Sequence, residues 1–384
     1  MPQALAPLLS LMDGTHDLAA LYTTLRDELG EEIEFSWLNK FVGELDELLL
    51  LDSPSFQERE AAAQARFAAE RVRPAAFAGR SYPGKPVELR NYLTELRFKG
   101  ETLLGNGPDR EFLPGQVRGI VVPHIDFMRG GPEEALAYLP LVENVVATDR
   151  SFDTLVVFGI AHAGVRYPFC AATKDYATPL GTAVCDRDFL SDLQSRLGPR
   201  LTREQMVHAN DHSDEFVAVF TQYYPELATS QIVPILCGGF WQPLRLGYSP
   251  LLDPDVSLFV EVLRQVTAEH EARGKKIGFI ASVDGAHVGS NFGDDTPLDP
   301  LRLKEIEFSD RDWCAAIAAG DAEGLHAHFA RDENRFNVDA HPAVYTLLAA
   351  FPSWRGQLLA YNQAYNAAEN SVVSFASLTL FEPV

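Results

Sequence analysis

Thr154-Leu-Val-Val-Phe-Gly-Ile-Ala-His162 is an apolar run of strand length that ends on a histidine. Three other runs end in the same way. Gly119-Ile-Val-Val122 leads into Pro123-His124, Gln231-Ile-Val-Pro-Ile235 into Cys237, and Ile277-Gly-Phe-Ile280 into Asp284 and His287. In an open α/β sheet, ligands collect at the carboxyl ends of parallel strands. A core histidine explains one such ending but not most of them. The pattern therefore predicts a site together with a fold.

Around these runs, from about Phe77 onward, strands alternate with amphipathic helices, the signature of a mostly parallel sheet covered on both faces. Helices are expected at Val87–Phe98, Pro132–Ala147, Asp186–Leu197, Ser213–Tyr224, Val256–Arg273, Asp310–Ala319, Ala322–Ala330 and Ala343–Ala350. The tail from Ser371 to Phe381 alternates polar and apolar residues, which predicts an antiparallel or edge strand with one wetter face. Residues 76–384 thus read as a three-layer α/β/α domain.

Residues 1–75 read differently, as a small helical module with a helical linker. Leu18, Leu21, Tyr22, Leu25 and Leu29 recur at helical spacing after Asp13-Gly14-Thr15, with Thr15 as the expected cap. A second helix follows Ser36 and stops at Asp52-Ser53-Pro54, and a third runs from about Phe56 to Val72, ended by Pro74. His16 is expected at the surface.

The composition narrows the function. A hydrophobic content of 46% and an aromatic content of 10% over 384 residues belong to a globular protein with a large core. The formal charge of −22 repels phosphate backbones, so nucleic acid is excluded as a partner class. Cys170, Cys185, Cys237 and Cys314 are widely spaced and form no C-x-x-C pair, which speaks against a disulfide framework. No apolar stretch approaches the ~20 residues of a membrane span, and the N-terminus lacks the basic start of a secretory signal. A cytoplasmic protein without membrane partners is expected.

His124 follows a buried run and precedes Arg129-Gly130-Gly131, where the chain turns toward a helix expected near Pro132. His162 repeats that placement. Two histidines at neighbouring strand ends can converge on one ion that neither could hold alone. Asp211-His212-Ser213-Asp214-Glu215 opens a helix. Ser213, Asp214 and Glu215 suit a helix N-terminus, yet His212 and Glu215 share a helix face and could equally orient metal-ligating histidines. His208 lies in a polar stretch and is expected at the surface. Asp284 and His287 flank Gly285-Ala286, a spacing that suits a general acid/base pair or a third metal ligand with its supporting carboxylate.

These residues resemble the Memo family, also called AmmeMemoRadiSam system protein B, whose large domain is similar to the class III, LigB-type extradiol dioxygenases that use non-haem iron. The resemblance begins at Ala78-Gly-Arg-Ser-Tyr-Pro83. It continues through Pro123-His124, Gly159-Ile-Ala-His162, Thr178-Pro-Leu-Gly181, His212-Ser-Asp-Glu215 and Ser282-Val-Asp-Gly-Ala-His287. Residues 1–75 look like a PqqD-type, winged-helix-like module. The resemblance implies that His124 and His162 are metal ligands and His287 the remaining active-site histidine; Asp284, His212 and Glu215 join His287 as catalytic candidates from the reading of the residues themselves.

Members with a recognisable metal site carry a C-G-R-x-P segment whose cysteine is the third ligand. Here the comparable stretch is Phe336-Asn-Val-Asp-Ala-His-Pro342, with Val338 at the cysteine position. Asp339 could replace the cysteine, giving two histidines and a carboxylate. Asp126 stands where glycine is usual and offers another carboxylate.

The expected cofactor is a divalent metal, iron(II) before zinc or copper, serving dioxygenase-type or other redox chemistry. The valine also admits a silent binding protein that serves a radical-SAM modification system and docks a peptide or protein through the N-terminal module. A metal-free hydrolase built on Asp284 and His287 is disfavoured, because no nucleophile sits on a Gly-flanked turn.

Overall fold

The computed structural model describes residues 6–29, 34–104 and 115–383. The chain divides into two compact units, Met1–Ala69 and Glu70–Val384.

Among its described residues the first unit has helices as its only regular elements, Ala6–Leu11, Leu18–Leu29, Phe35–Glu47 and Pro54–Ala69. Leu8, Leu21, Leu25 and Leu38 form its core. The helix at Leu18 is capped by Asp17, whose Oδ1 accepts from the Ala20 amide at 2.7 Å. The expected cap, Thr15, bonds Asp13 instead. An aspartate directly before the first helical residue reaches the third amide, which a side chain two positions further back cannot do.

The second unit contains strands β1 (Val72–Arg73), β2 (Gly115–Val122), β3 (Thr154–Ile160), β4 (Phe169–Ala171), β5 (Asp175–Thr178), β6 (Gly181–Ala183), β7 (Gln231–Cys237), β8 (Ile277–Ser282), β9 (His287–Gly289), β10 (Arg355–Asn366) and β11 (Ser371–Pro383). The main sheet runs β10-β11-β2-β8-β3-β7-β4, with β9 paired to β11. The four apolar runs form its parallel centre, β2-β8-β3-β7. Successive residues of a strand face opposite sides. Leu155 and Val157 therefore pack under one helical layer with Phe216, Val217 and Phe220, whereas Val156 and Phe158 join Phe259, Leu263 and Val344 on the other side. Two cores sandwich one sheet, giving the three-layer α/β/α architecture.

Three local features differ from the sequence reading. The tail strand β11 is antiparallel but interior, because β10 takes the edge beyond it. Its hydroxyl residues are buried, and two of them bond backbone. Ser374 Oγ accepts from the Ala286 amide at 2.6 Å, and Ser377 Oγ donates to the Glu133 carbonyl at 2.7 Å. The helix expected from Pro132 begins at Phe127 and carries Pro132 inside it, ending at Ala137 before a second helix, Leu139–Thr148. Gly130 and Gly131 belong to this helix because it packs too closely for a Cβ, which would come within 2.2 Å of Ile125 and 2.6 Å of Leu96. The helix expected from Asp310 starts at Pro300, where Asp299 caps the Arg302 amide at 2.8 Å.

Candidate metal centre

The carboxyl ends of β2, β3 and β8 open into a cleft of about 560 Å³ lined by His124, His162, His212, Asp284 and His287. His124 follows β2 and His162 follows β3, while His212 precedes the helix Ser213–Tyr223. That helix presses its first turn onto β3 at Gly159, where a Cβ would lie 2.3 Å from Ser213 Oγ. Ser213 Oγ also accepts from the Ile160 amide at 3.1 Å. This close approach brings His212 to the strand ends. The ring centroids of His124, His162 and His212 stand 5.1, 5.0 and 4.6 Å apart. One nitrogen from each ring lies within 4.8 Å of the others, a group able to hold a metal ion.

Hydrogen bonds set which nitrogens face inward. His124 is 1% exposed, and its Nδ1 lies 2.8 Å from the Ser282 carbonyl. A carbonyl only accepts, so Nδ1 carries the proton and Nε2 turns to the cleft. Buried Nε2 has no well-directed hydrogen bond. Asp339 Oδ2 is 3.2 Å away and Asp284 Oδ2 3.9 Å, both off its axis. His162 Nδ1 faces Asp211 Oδ2 at 2.9 Å, which leaves Nε2 free. Asp211 also accepts from the His162 amide at 3.2 Å, from the Ser213 amide at 3.0 Å and from Ser213 Oγ at 2.6 Å. These donors hold its carboxyl below the usual range despite burial. Asp211 is thus a carboxylate backing an inward-facing histidine, the arrangement that fixes ring and tautomer in metal sites. The sequence reading assigned it no role, and its position directly before His212 was the available signal.

Electrostatics separates the three rings. Burial, followed by the proximity of His124 and His162, lowers His212 to about 3, so its ring is neutral. Burial works against charge on His124 too, but Asp284 and Asp339 overcome it and raise the ring to about 10. His124 therefore holds a proton where a cation would otherwise sit. Metal must displace that proton, so affinity is expected to rise about tenfold per pH unit below pH 10. Zinc titrations against a chelator at pH 6.5 and 7.5 check this, and equal affinities would refute it.

The remaining expected site residues are placed as follows. Asp284 Oδ1 accepts from the amides of His124 and Ile125 at 2.9 and 3.2 Å, so it builds the turn that carries His124. Asp339 Oδ1 accepts from the Asp284 amide at 2.7 Å while Oδ2 reaches toward His124, so a carboxylate does stand beside the trio. His287 lies on β9 in the same cleft. Its Nδ1 faces the carbonyls of Gly285 and Asn337 at 3.0 and 3.1 Å. It is therefore oriented by backbone and not by Asp284. Asp126 lines the cleft but is ion-paired with Arg129 and is not part of the imidazole group.

Glu215 turns away from the cleft. Fully buried, it pairs with Arg73 and Tyr82 and accepts from the amides of Ala76 and Phe77, each at 2.9 Å. His208 is buried, contrary to the surface placement expected. Its ring sits between Tyr176 Oη at 2.8 Å, the Cys170 carbonyl at 2.9 Å and Asp214 at 3.2 Å, and these partners offset the loss of water. Ser282 is fully buried and donates to the Ser213 carbonyl at 2.9 Å, which removes it as a nucleophile.

The fold and site together define a three-layer α/β/α protein with a strand-end group of three histidines that could hold a divalent metal. The Memo-like protein profile matches residues 73–379, and the chain belongs to that family. It is 27% identical over 378 residues to a MEMO1 family protein of Aquifex aeolicus, covering 97% of this chain and 90% of the relative. It is 26% identical over 312 residues to a MEMO1 family protein of Thermus thermophilus, covering 81% and 83% of the two chains. A MEMO1 family protein of Methanopyrus kandleri is 32% identical over 149 residues, 38% of this chain and 50% of the relative. No helix among the described residues is long and apolar enough to cross a membrane.

Proposed function

We propose that this protein is a metal-dependent enzyme in which His124, His162 and His212 hold one divalent ion, iron(II) in the first instance, for redox chemistry of the dioxygenase type. The observation that carries this reading is the convergence of three imidazoles, two of them tied through Nδ1 so that Nε2 faces the others. Imidazole donors suit iron, zinc and copper, and Asp339 adds the oxygen donor that favours iron. The ion would supply Lewis acidity and, if iron, a redox couple.

The chain's own residues contribute the rest. Asp211 and the Ser282 carbonyl hold two rings in register. Asp284 fixes the backbone of His124. His287, with Nδ1 engaged by carbonyls, presents Nε2 to the cleft as a proton carrier for substrate. Val338 at the family's cysteine position was the reason to expect a silent pocket. His212 weakens that reason by offering a third imidazole. The Met1–Ala69 unit is the part we assign to docking a peptide or protein partner, in keeping with the exposed Phe35, Trp37, Leu48 and Leu50.

The test is iron content after anaerobic reconstitution. About one iron per chain is expected in the natural protein, with loss in His124→Ala. Equal, sub-stoichiometric content in both would overturn the reading.

A further inference from the structure

A second cavity of about 300 Å³ adjoins the metal centre: His162 lines both, and Asp339, in the wall of the second, reaches to 3.2 Å from His124 Nε2. Its other walls are mainly apolar: Val165, Phe240, Trp241, Leu244, Val338 and Pro342. These walls are built rather than incidental. Asn334 clamps the Val338 backbone from both sides, with Oδ1 accepting from the Val338 amide at 3.0 Å and Nδ2 donating to its carbonyl at 2.8 Å. Asn334 and Asn337 adopt left-handed backbone to make this turn, a conformation that asparagine tolerates better than most residues. Gly239 lies under the Trp241 indole, where a Cβ would come within 2.5 Å of the ring. The indole itself is 70% exposed.

An apolar recess with few polar groups at one end is the usual form of a small-molecule site. Here the polar end is the metal centre. We propose that the recess receives the apolar group of a small substrate whose oxygen-donor head group lies at the imidazole trio. The space equals that of about ten waters, room for a chain or ring of about six carbons. The substrate class is thus a small molecule with one apolar group and one oxygen-donor head group, such as a short carboxylic acid, and not a sugar or a polyphosphate. Buried Val338 and exposed Trp241 both line the recess. This inference rests on the reading that the trio holds a divalent metal.

The test uses the full chain loaded with cobalt(II), whose visible spectrum reports a head group entering the coordination sphere. Acetate, butyrate and hexanoate are titrated in turn. Each buried methylene is expected to tighten binding about fourfold, so that hexanoate exceeds acetate on the order of a hundredfold. Val338→Phe fills the recess and should bring hexanoate down to the affinity of acetate. Trp241→Ala, made at an exposed side chain that the fold does not need, should weaken hexanoate about fivefold more than acetate. Cobalt uptake with equal affinities for the three acids, or unchanged hexanoate binding in both variants, would overturn the recess as a substrate site. Failure to take up cobalt would instead overturn the metal reading, and the inference with it.

Discussion

His212→Ala should lower metal affinity by at least about a hundredfold. Removing a group that merely orients a ligand already costs 10- to 100-fold, and His212 is placed as a ligand itself. Its ring is neutral at every pH above about 3, so its lone pair is available without proton release. That distinguishes it from His124, whose proton competes with the ion. The remaining donors would be two imidazoles and Asp339, a set open to water on the side His212 had closed. Chelator competition measures the loss, and cooperative unfolding of the apoprotein shows that the fold persists. Affinity within threefold of the natural protein would remove His212 from the site.

Glu215→Ala should destabilise the large unit by about 3–5 kcal/mol, the cost of leaving a buried ion without its partner. Arg73 is fully buried and has Glu215 as its counter-charge, supplemented by the carbonyls of His208 and Asp211. The same carboxylate gathers the amides of Ala76 and Phe77 and the Tyr82 hydroxyl. One substitution therefore strands a guanidinium and releases Ala76, Phe77 and Tyr82 from the helix that begins at Ser213. Urea denaturation measures the loss. Arg73→Met combined with Glu215→Leu should recover part of it, since an apolar pair leaves no stranded charge. A loss below 1 kcal/mol in Glu215→Ala would contradict this account.

The parallel centre of the sheet and the residues at its ends were legible because apolar strand runs and the chemistry that follows them are local in sequence. Strand β10 was not. Arg355–Asn366 is half-exposed and polar, and only its long antiparallel register with β11 makes it a strand. His124 and His162 could be read from strand endings, but His212 could not be separated from a helix cap. Its role depends on Gly159, which lets the helix that starts at Ser213 sit on β3. Glu215 shares a helical face with His212 on paper, yet Arg73, 142 residues earlier, draws it the other way. His208 illustrates the converse limit. A polar neighbourhood in sequence suggested water, whereas the fold supplies Tyr176, Asp214 and a carbonyl in its place.

X-ray absorption at the edge of a reconstituted metal puts the imidazole trio to its most direct test. The account predicts three imidazole nitrogens, at about 2.0–2.1 Å for zinc, and no sulfur, although Cys237 ends β7 close by. A sulfur scatterer, or fewer than two imidazoles, would mean that the metal is held somewhere other than between His124, His162 and His212.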